Sequence, residues 1–151
     1  MRESLKKLMD VAMGRVPADV VIKNCKVVNV FSGEITEGNI AICDGQIAGI
    51  GEYEGVEVVD AMGRYAAPGF IDSHIHIESS YVSPEELGRL LVPHGGTTIM
   101  ADPHEIANVC GEQGLAYMVE AGTRTALDIK YDSSSNSFVD SVTSSPFFFT
   151  S

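Results

Sequence analysis

The stretch "PGFIDSHIHIESS", residues 68–80, decides the fold class of this chain. Its apolar residues predict a buried strand, and His74 and His76 stand one residue apart near the end of that strand. Residues i and i+2 of a strand point to the same face, so the two imidazoles project together. Two converging imidazoles are half of a site for Zn, Fe or Mn, and we predict both residues as metal ligands. A hydrogen-bonded pair in the core is the less favoured alternative, because Pro68-Gly69 precedes the strand and a helix follows it.

The sequence after this strand alternates between helical and strand patterns. "SPEELGRLLVPHGG" predicts a helix with Ser83 as the N-cap and Gly95 as the stop. "TTIMADPHE" predicts a second buried strand, "ANVCGEQGLAYMVEAGTRTA" contains a second helix, and "LDIKY" predicts a third strand. This alternation is typical of a parallel sheet, so the predicted fold class is α/β.

Asp102 and His104 follow the second predicted strand with the same spacing as the first pair. Active sites of βα barrels lie at the carboxyl ends of the strands, so we expect these residues to join His74 and His76 in one pocket. The alternative is that Asp102 or His104 caps a helix that begins near Ile106.

The sequence before residue 66 has a different pattern. Asp44-Gly45 stands between the alternating segments "NIAIC" and "QIAGIG" and predicts a hairpin within a small β domain, residues 18–65. Residues 1–17 predict an N-terminal helix that packs on the body of the protein, and residues 66–131 hold the strand–helix units. Residues 132–151 are rich in Ser and Phe without either period and predict a divergent, disordered tail.

The composition limits the classes of partner. The formal net charge of -11 repels phosphate backbones and anionic lipids, so we expect neither nucleic acid nor a membrane as a partner. The three cysteines form no CxxC motif, which favours reduced thiols and a cytoplasmic location. Charged residues interrupt the N-terminal segment, so we expect no signal peptide there.

Three segments, "APGFIDSHIHIESS", "ADPHEIANVCG" and "TALDIKY", resemble the adenine deaminases of the amidohydrolase superfamily. The resemblance implies a small N-terminal β-sandwich-type domain followed by the first βα units of a TIM-like (β/α)8 barrel, truncated after the third strand. It implies hydrolysis of adenine, a purine, to hypoxanthine and ammonia in purine salvage. It also implies a divalent metal, Mn or Fe and otherwise Zn, and a homo-oligomeric full-length parent.

The resemblance also implies roles for particular residues. His74 and His76 match the first-strand metal ligands of the family. Glu105 matches a signature segment, for which the resemblance implies a role in metal or substrate binding. Catalytic roles are implied for three further residues: Glu78, Asp102 and His104.

Two alternatives to an adenine deaminase stay open. A cyclic amidase of the hydantoinase or dihydroorotase type shares the HxH motif but lacks "ADPHEIANV". A fragment without catalysis is the other alternative, because this sequence lacks the later histidines, the bridging carboxylate and the late aspartate of such enzymes.

Overall fold

The computed structural model describes residues 2–131 of the chain, which divides into two compact units, Met1–Pro68 and Gly69–Ser151. The tail expected at residues 132–151 lies outside the described residues. None of the helices within residues 2–131 is both long and apolar enough to cross a membrane.

The first unit is one helix on one mixed sheet. The strand order is β3-β2-β1-β4, and β5 pairs with β1 beyond the end of β4. Neighbours β1, β2 and β3 are antiparallel, whereas β4 and β5 run parallel to β1. The elements are α1 (Arg2–Ala12), β1 (Ala18–Asn29), β2 (Glu34–Cys43), β3 (Gln46–Ile50), β4 (Gly55–Asp60) and β5 (Tyr65–Ala66).

The predicted hairpin between β2 and β3 is confirmed. Asp44 has φ 49° and Gly45 has φ 73°, so both central residues adopt the left-handed conformation that a type I′ turn requires. The strand before it, β1, is one strand of 12 residues with a bulge between Ile22 and Cys25.

The helix α1 covers one part of this sheet. Val11 is fully buried and packs in one cluster with Val21 of β1 and with Ala41 and Cys43 of β2. Within residues 2–68 the strands form a single sheet, so the sandwich-type arrangement implied by the resemblance stays a prediction.

The second unit is a parallel sheet with the strand order β6-β7-β8, as the strand–helix alternation predicts. Two short 3₁₀ helices, Glu78–Ser80 and Val92–His94, lie before and after α2. The other elements within residues 69–131 are β6 (Phe70–Ile75), α2 (Pro84–Leu91), β7 (Gly96–Ala101), α3 (His104–Gly122) and β8 (Asp128–Tyr131).

Both helices of this unit begin close to where the sequence places them. Ser83 is the N-cap of α2, as predicted, and its side chain accepts a hydrogen bond from the Glu86 amide. Pro84 occupies the first turn of α2. The helix α3 begins at His104, two residues before the expected start, and Gly111 interrupts it with φ 59° and ψ -145°. That conformation is open to glycine, so α3 is two helical segments joined at a kink.

The core of the second unit fixes the segment that leaves β6. Ile77 is fully buried and belongs to one cluster with Ile99 of β7 and Met118 of α3. Burial of one such side chain contributes about 1.5–3 kcal/mol. Because Ile77 stands between His76 and Glu78, its burial anchors both neighbours at the carboxyl end of the sheet.

Candidate metal centre

The candidate site is formed where β6 and β7 end. Ile75 is the last residue of β6 and is paired with Ala101, the last residue of β7. The Asp102 amide donates to the Ile75 carbonyl at 3.0 Å, which continues the pairing by one residue. Parallel register therefore places the residues that follow each strand, His76 and Asp102, at the same edge of the sheet.

Three of the four histidine rings form a row. The ring centroids of His74 and His76 are 4.9 Å apart, and those of His76 and His104 are 4.7 Å apart. Both pairs meet edge to face, with interplanar angles of 90° and 84°. The first histidine pair and His104 therefore lie close together, and their common pocket stays a prediction.

A cluster with metal-binding chemistry contains His76, His104 and Glu105. One ligand atom from each residue lies within 4.8 Å of the other two. Ligand atoms around a first-row divalent ion at about 2.1 Å lie about 3–4 Å apart, so small side-chain rotations would close the cluster. Two imidazole nitrogens and one carboxylate oxygen suit Zn, Fe and Mn.

Hydrogen bonds hold each member of this cluster. His76 Nδ1 lies 3.0 Å from the main-chain oxygen of Asp102, and His104 Nδ1 lies 3.0 Å from Oδ2 of the same residue. The Ser79 hydroxyl lies 3.1 Å and 3.0 Å from the two carboxylate oxygens of Glu105. The cluster is therefore supported by neighbours from both strand ends, as metal ligands in proteins usually are.

His74 lies beside the three-residue cluster, and its role as a metal ligand stays a prediction. Its side chain is exposed, and it does not belong to the three-residue cluster, although its ring contacts that of His76. Its amide donates to Oδ1 of Asp72 at 3.1 Å, which fixes the main chain of β6 and not the ring.

Glu78 connects the end of β6 to α3. Its Oε1 accepts a hydrogen bond from the Ile106 amide at 2.9 Å, which satisfies one of the donors in the first turn of α3. Its Oε2 is buried and has no hydrogen-bond partner among the described residues. Burial raises the pKa of the nearby Tyr131, and the negative charges of Glu78 and Glu85 raise it further. A buried carboxylate oxygen without a donor is a place where a cation or a proton donor would be stabilised.

Neither Asp102 nor His104 is the N-cap of α3, although His104 opens the helix. Pro103 is the N-cap of α3 and makes no side-chain cap, and His104 is the first residue of the helix. The cap comes instead from Glu78, 28 residues before Ile106. This contact has no local sequence signature, because it depends on the way β6 and α3 pack.

A second cluster of possible ligands, Asp19, Cys43 and Asp44, lies in the first unit. The Lys7 ammonium lies 3.0 Å from Asp19 Oδ1 and 2.7 Å from Asp44 Oδ1. Hydrogen bonds to Asp44 and then to Asp19 raise the pKa of Lys7. The carboxylates already have a cationic partner, so this cluster is an ion-pair network that attaches α1 to the sheet.

The sequence comparisons agree on one enzyme family. Residues 65–147 match the Amidohydrolase family. The chain is 68% identical over 129 residues to "Adenine deaminase 2" of Desulfotalea psychrophila, with 85% of the chain and 22% of that protein covered. It is 58% identical over 131 residues to "Adenine deaminase" of Ligilactobacillus salivarius, with 86% of the chain and 23% of that protein covered. The chain thus spans less than a quarter of the length of these relatives.

A solved structure with partial likeness is L-hydantoinase (dihydropyrimidinase) from Arthrobacter aurescens. Its sequence identity is 32%, its TM-score is 0.45, and the match covers 57% of this chain and 21% of that one. A likeness at this TM-score has no bearing on the choice between the two hydrolase hypotheses.

Proposed function

The chain belongs to the amidohydrolase family, and from that premise we propose that it serves the hydrolytic deamination of adenine. Water supplies the oxygen that replaces the exocyclic amine at C6, which gives hypoxanthine and ammonia. The identities of 68% and 58% to two proteins named adenine deaminases support this choice of substrate. The observation that carries the proposal is the convergence of His76, His104 and Glu105 at the ends of two parallel strands.

We further propose that β6 to β8 are strands of a TIM-like (β/α)8 barrel. The parallel order β6-β7-β8 with intervening helices supports this assignment. The position of the cluster supports it as well, since barrel enzymes carry their sites at the carboxyl ends of the strands. The β-sandwich-type character of the first unit is part of the same proposal.

The residues fit a divalent metal, with Mn or Fe expected and Zn as a third option. His76, His104 and Glu105 would hold it, and His74 is a further candidate through its ring contact with His76. A divalent ion bound there supplies a Lewis acid that makes water nucleophilic near neutral pH. The second ring nitrogen of each clustered histidine is held by Asp102, so both imidazoles keep one orientation.

The protein side chains would bind, orient and move protons around that centre. Glu78 offers a buried carboxylate oxygen that can accept a proton from water or stabilise the leaving amine. Asp102 is engaged by two imidazoles, so we assign it to positioning where the sequence alone suggests catalysis. His104 is assigned as a metal ligand because it belongs to the cluster.

The proposal includes a small-molecule purine partner and a cytoplasmic location. The free thiols of Cys25, Cys43 and Cys110 support a reducing compartment. The net charge of -11 supports the expectation that neither nucleic acid nor an anionic membrane is a partner. A homo-oligomer of the full-length parent stays a prediction.

A chimera tests the activity. Residues 1–131 of this chain replace the matching segment of the Desulfotalea psychrophila relative, and the purified protein is loaded with Mn²⁺. Adenine loss is followed by ultraviolet absorbance and ammonia by a coupled assay. We expect turnover of adenine that His76→Ala, His104→Ala and Glu105→Ala each reduce by at least a hundredfold, because each removes a proposed metal ligand.

The matched control is His94→Ala, which removes a histidine at the carboxyl end of a 3₁₀ helix and outside the cluster. It should leave turnover within about twofold of the parent, because His94 is exposed and such substitutions usually change stability by less than about 0.5 kcal/mol. Hydantoin is supplied in parallel as the cyclic-amidase substrate. Ammonia release from hydantoin without loss of adenine would reverse the assignment.

A further inference from the structure

Asp102 contacts both imidazoles of the cluster through two chemically different acceptors. Its main-chain carbonyl is paired with Nδ1 of His76, and its carboxylate Oδ2 is paired with Nδ1 of His104, each at 3.0 Å. We propose that Asp102 is a positioning residue that fixes both histidines as Nδ1–H tautomers and leaves both Nε2 lone pairs for a divalent cation. The inference rests on the proposed function, because the cation is the one that the proposed function requires.

The tautomers follow from the chemistry of the acceptors. A carbonyl oxygen has no proton to give, so the hydrogen bond exists only when His76 Nδ1 carries the hydrogen. An ionised carboxylate likewise only accepts, which requires the hydrogen on Nδ1 of His104. Unconstrained histidine in water favours hydrogen on Nε2. The fixed Nδ1–H form at two rings is therefore a signature of Asp102 and not the default state.

The contact with His76 is made by the main chain of Asp102, whereas the contact with His104 is made by its side chain. The main-chain amide of Asp102 donates a hydrogen bond to the Ile75 carbonyl, and the neighbouring residues Ala101 and Pro103 are both buried. The carbonyl that faces His76 is thus set by the fold of β6 and β7. The carboxylate that faces His104 belongs to the side chain, which is 19% exposed. Substitution of the side chain should release His104 alone.

The experiment reads the tautomer of each ring in the metal-free chain of 151 residues. Long-range ¹H–¹⁵N spectra are recorded on histidine-labelled protein at a pH where imidazoles are neutral, with each ring assigned by its own His→Gln variant. We expect Nδ1–H at His76 and His104 and the unconstrained form at His94. Asp102→Ala should change the tautomer of His104 only. Asp102→Asn should leave His104 in the Nδ1–H form, because the amide oxygen of Asn still accepts a hydrogen bond.

The second readout is the affinity for Mn²⁺, measured by calorimetry. Loss of an outer partner typically weakens metal binding by about tenfold to a hundredfold, and we expect that loss for Asp102→Ala. The Asn variant should recover part of it. The control is Asp128→Ala, which removes an exposed carboxylate of β8 that pairs with Lys130. It should bind Mn²⁺ like the parent.

The outcomes separate the two proposals. Nε2–H at either clustered histidine in the parent, or an unchanged His104 in Asp102→Ala, would overturn the positioning role. Fixed tautomers in a chain that takes up no Mn²⁺ would count against the metal centre and leave the tautomer assignment standing. The spectrum of the parent decides the question even where Asp102→Ala does not fold.

Discussion

The hydroxyl of Ser79 lies 3.0 Å from one carboxylate oxygen of Glu105 and 3.1 Å from the other. Ser79 belongs to the 3₁₀ helix after β6, whereas Glu105 lies in the first turn of α3. A hydroxyl has one hydrogen, so it donates to one of the two oxygens at a time. This leaves lone pairs on both oxygens while the carboxylate is held beside His76 and His104.

The first prediction follows from this contact. Ser79→Ala removes the donor and frees the Glu105 side chain, so we expect the affinity for Mn²⁺ to fall by about tenfold. The matched control is Ser80→Ala, because the Ser80 hydroxyl donates to the Ile77 carbonyl at 2.6 Å and not to Glu105. Calorimetric titration of both variants should show the loss only for Ser79→Ala, and equal losses would contradict the role of Ser79.

The second prediction ranks the histidines. We expect weak binding of Mn²⁺, Fe²⁺ or Zn²⁺ by the chain, with most of it lost in His76→Ala and His104→Ala. His74→Ala should have a smaller effect, because His74 is exposed and outside the cluster. His94→Ala should have none. Titration of the four variants under identical conditions gives the ranking, and a loss at His74 equal to that at His76 would make His74 an equal ligand, as the HxH spacing predicts.

The third prediction separates the structural role of Glu78 from its proposed chemistry. Glu78→Ala removes the acceptor of the Ile106 amide, and loss of such a cap costs about 0.5–2 kcal/mol. Glu78→Gln retains an oxygen for the amide, so its free energy of unfolding should stay close to that of the parent. Urea unfolding measures both.

The activity of the chimera then completes the test of Glu78. A Gln side chain can still cap α3 but is a much poorer proton acceptor than a carboxylate. We therefore expect Glu78→Gln to lower turnover of adenine while leaving stability unchanged. Full turnover in Glu78→Gln would show that Glu78 caps α3 and does not accept a proton in the reaction.

Much of the fold could be predicted because its signals are local. Asp44-Gly45 specifies the turn between β2 and β3, and Ser83 with Pro84 specifies the start of α2. The alternation of strand and helix then gives the parallel order of β6, β7 and β8. The kink at Gly111 is harder to predict from the sequence, because a glycine inside a helical pattern is usually tolerated without a change of direction.

For the candidate site, the sequence could assign residues to particular strand ends but not the contacts between them. The spacing of His74 and His76 indicates the end of β6, where the candidate cluster lies, but it cannot tell which ring lies beside the residues after β7. That depends on the register between β6 and β7, where Ile75 pairs with Ala101. The contacts from Ser79 to Glu105 and from Glu78 to Ile106 span 26 and 28 residues, so no short-range pattern could predict them.

The last prediction concerns the ion pairs that attach α1 to the first sheet. Asp19 accepts a hydrogen bond from the Asp44 amide at 2.8 Å and pairs with Lys7. The hydrogen bond from the Asp44 amide, followed by the hydrogen bond from Lys7, lowers the pKa of Asp19 below its usual value of about 3.9. A carboxyl group with a lowered pKa in the folded state contributes stability above its unfolded pKa, and that contribution is lost as pH falls through the folded value.

We therefore expect the first unit to lose stability below about pH 4, and Asp19→Asn to make this loss shallower while lowering stability at pH 7. The effect should be modest and should shrink in high salt, because the Asp19 side chain is 42% exposed. Amide exchange in β2 and β3, followed between pH 7 and pH 3, reports on this unit alone. Glu57→Gln, which changes an exposed acid on β4, should leave the acid profile as it is in the parent. An identical acid profile for Asp19→Asn and the parent would show that this ion pair does not attach α1.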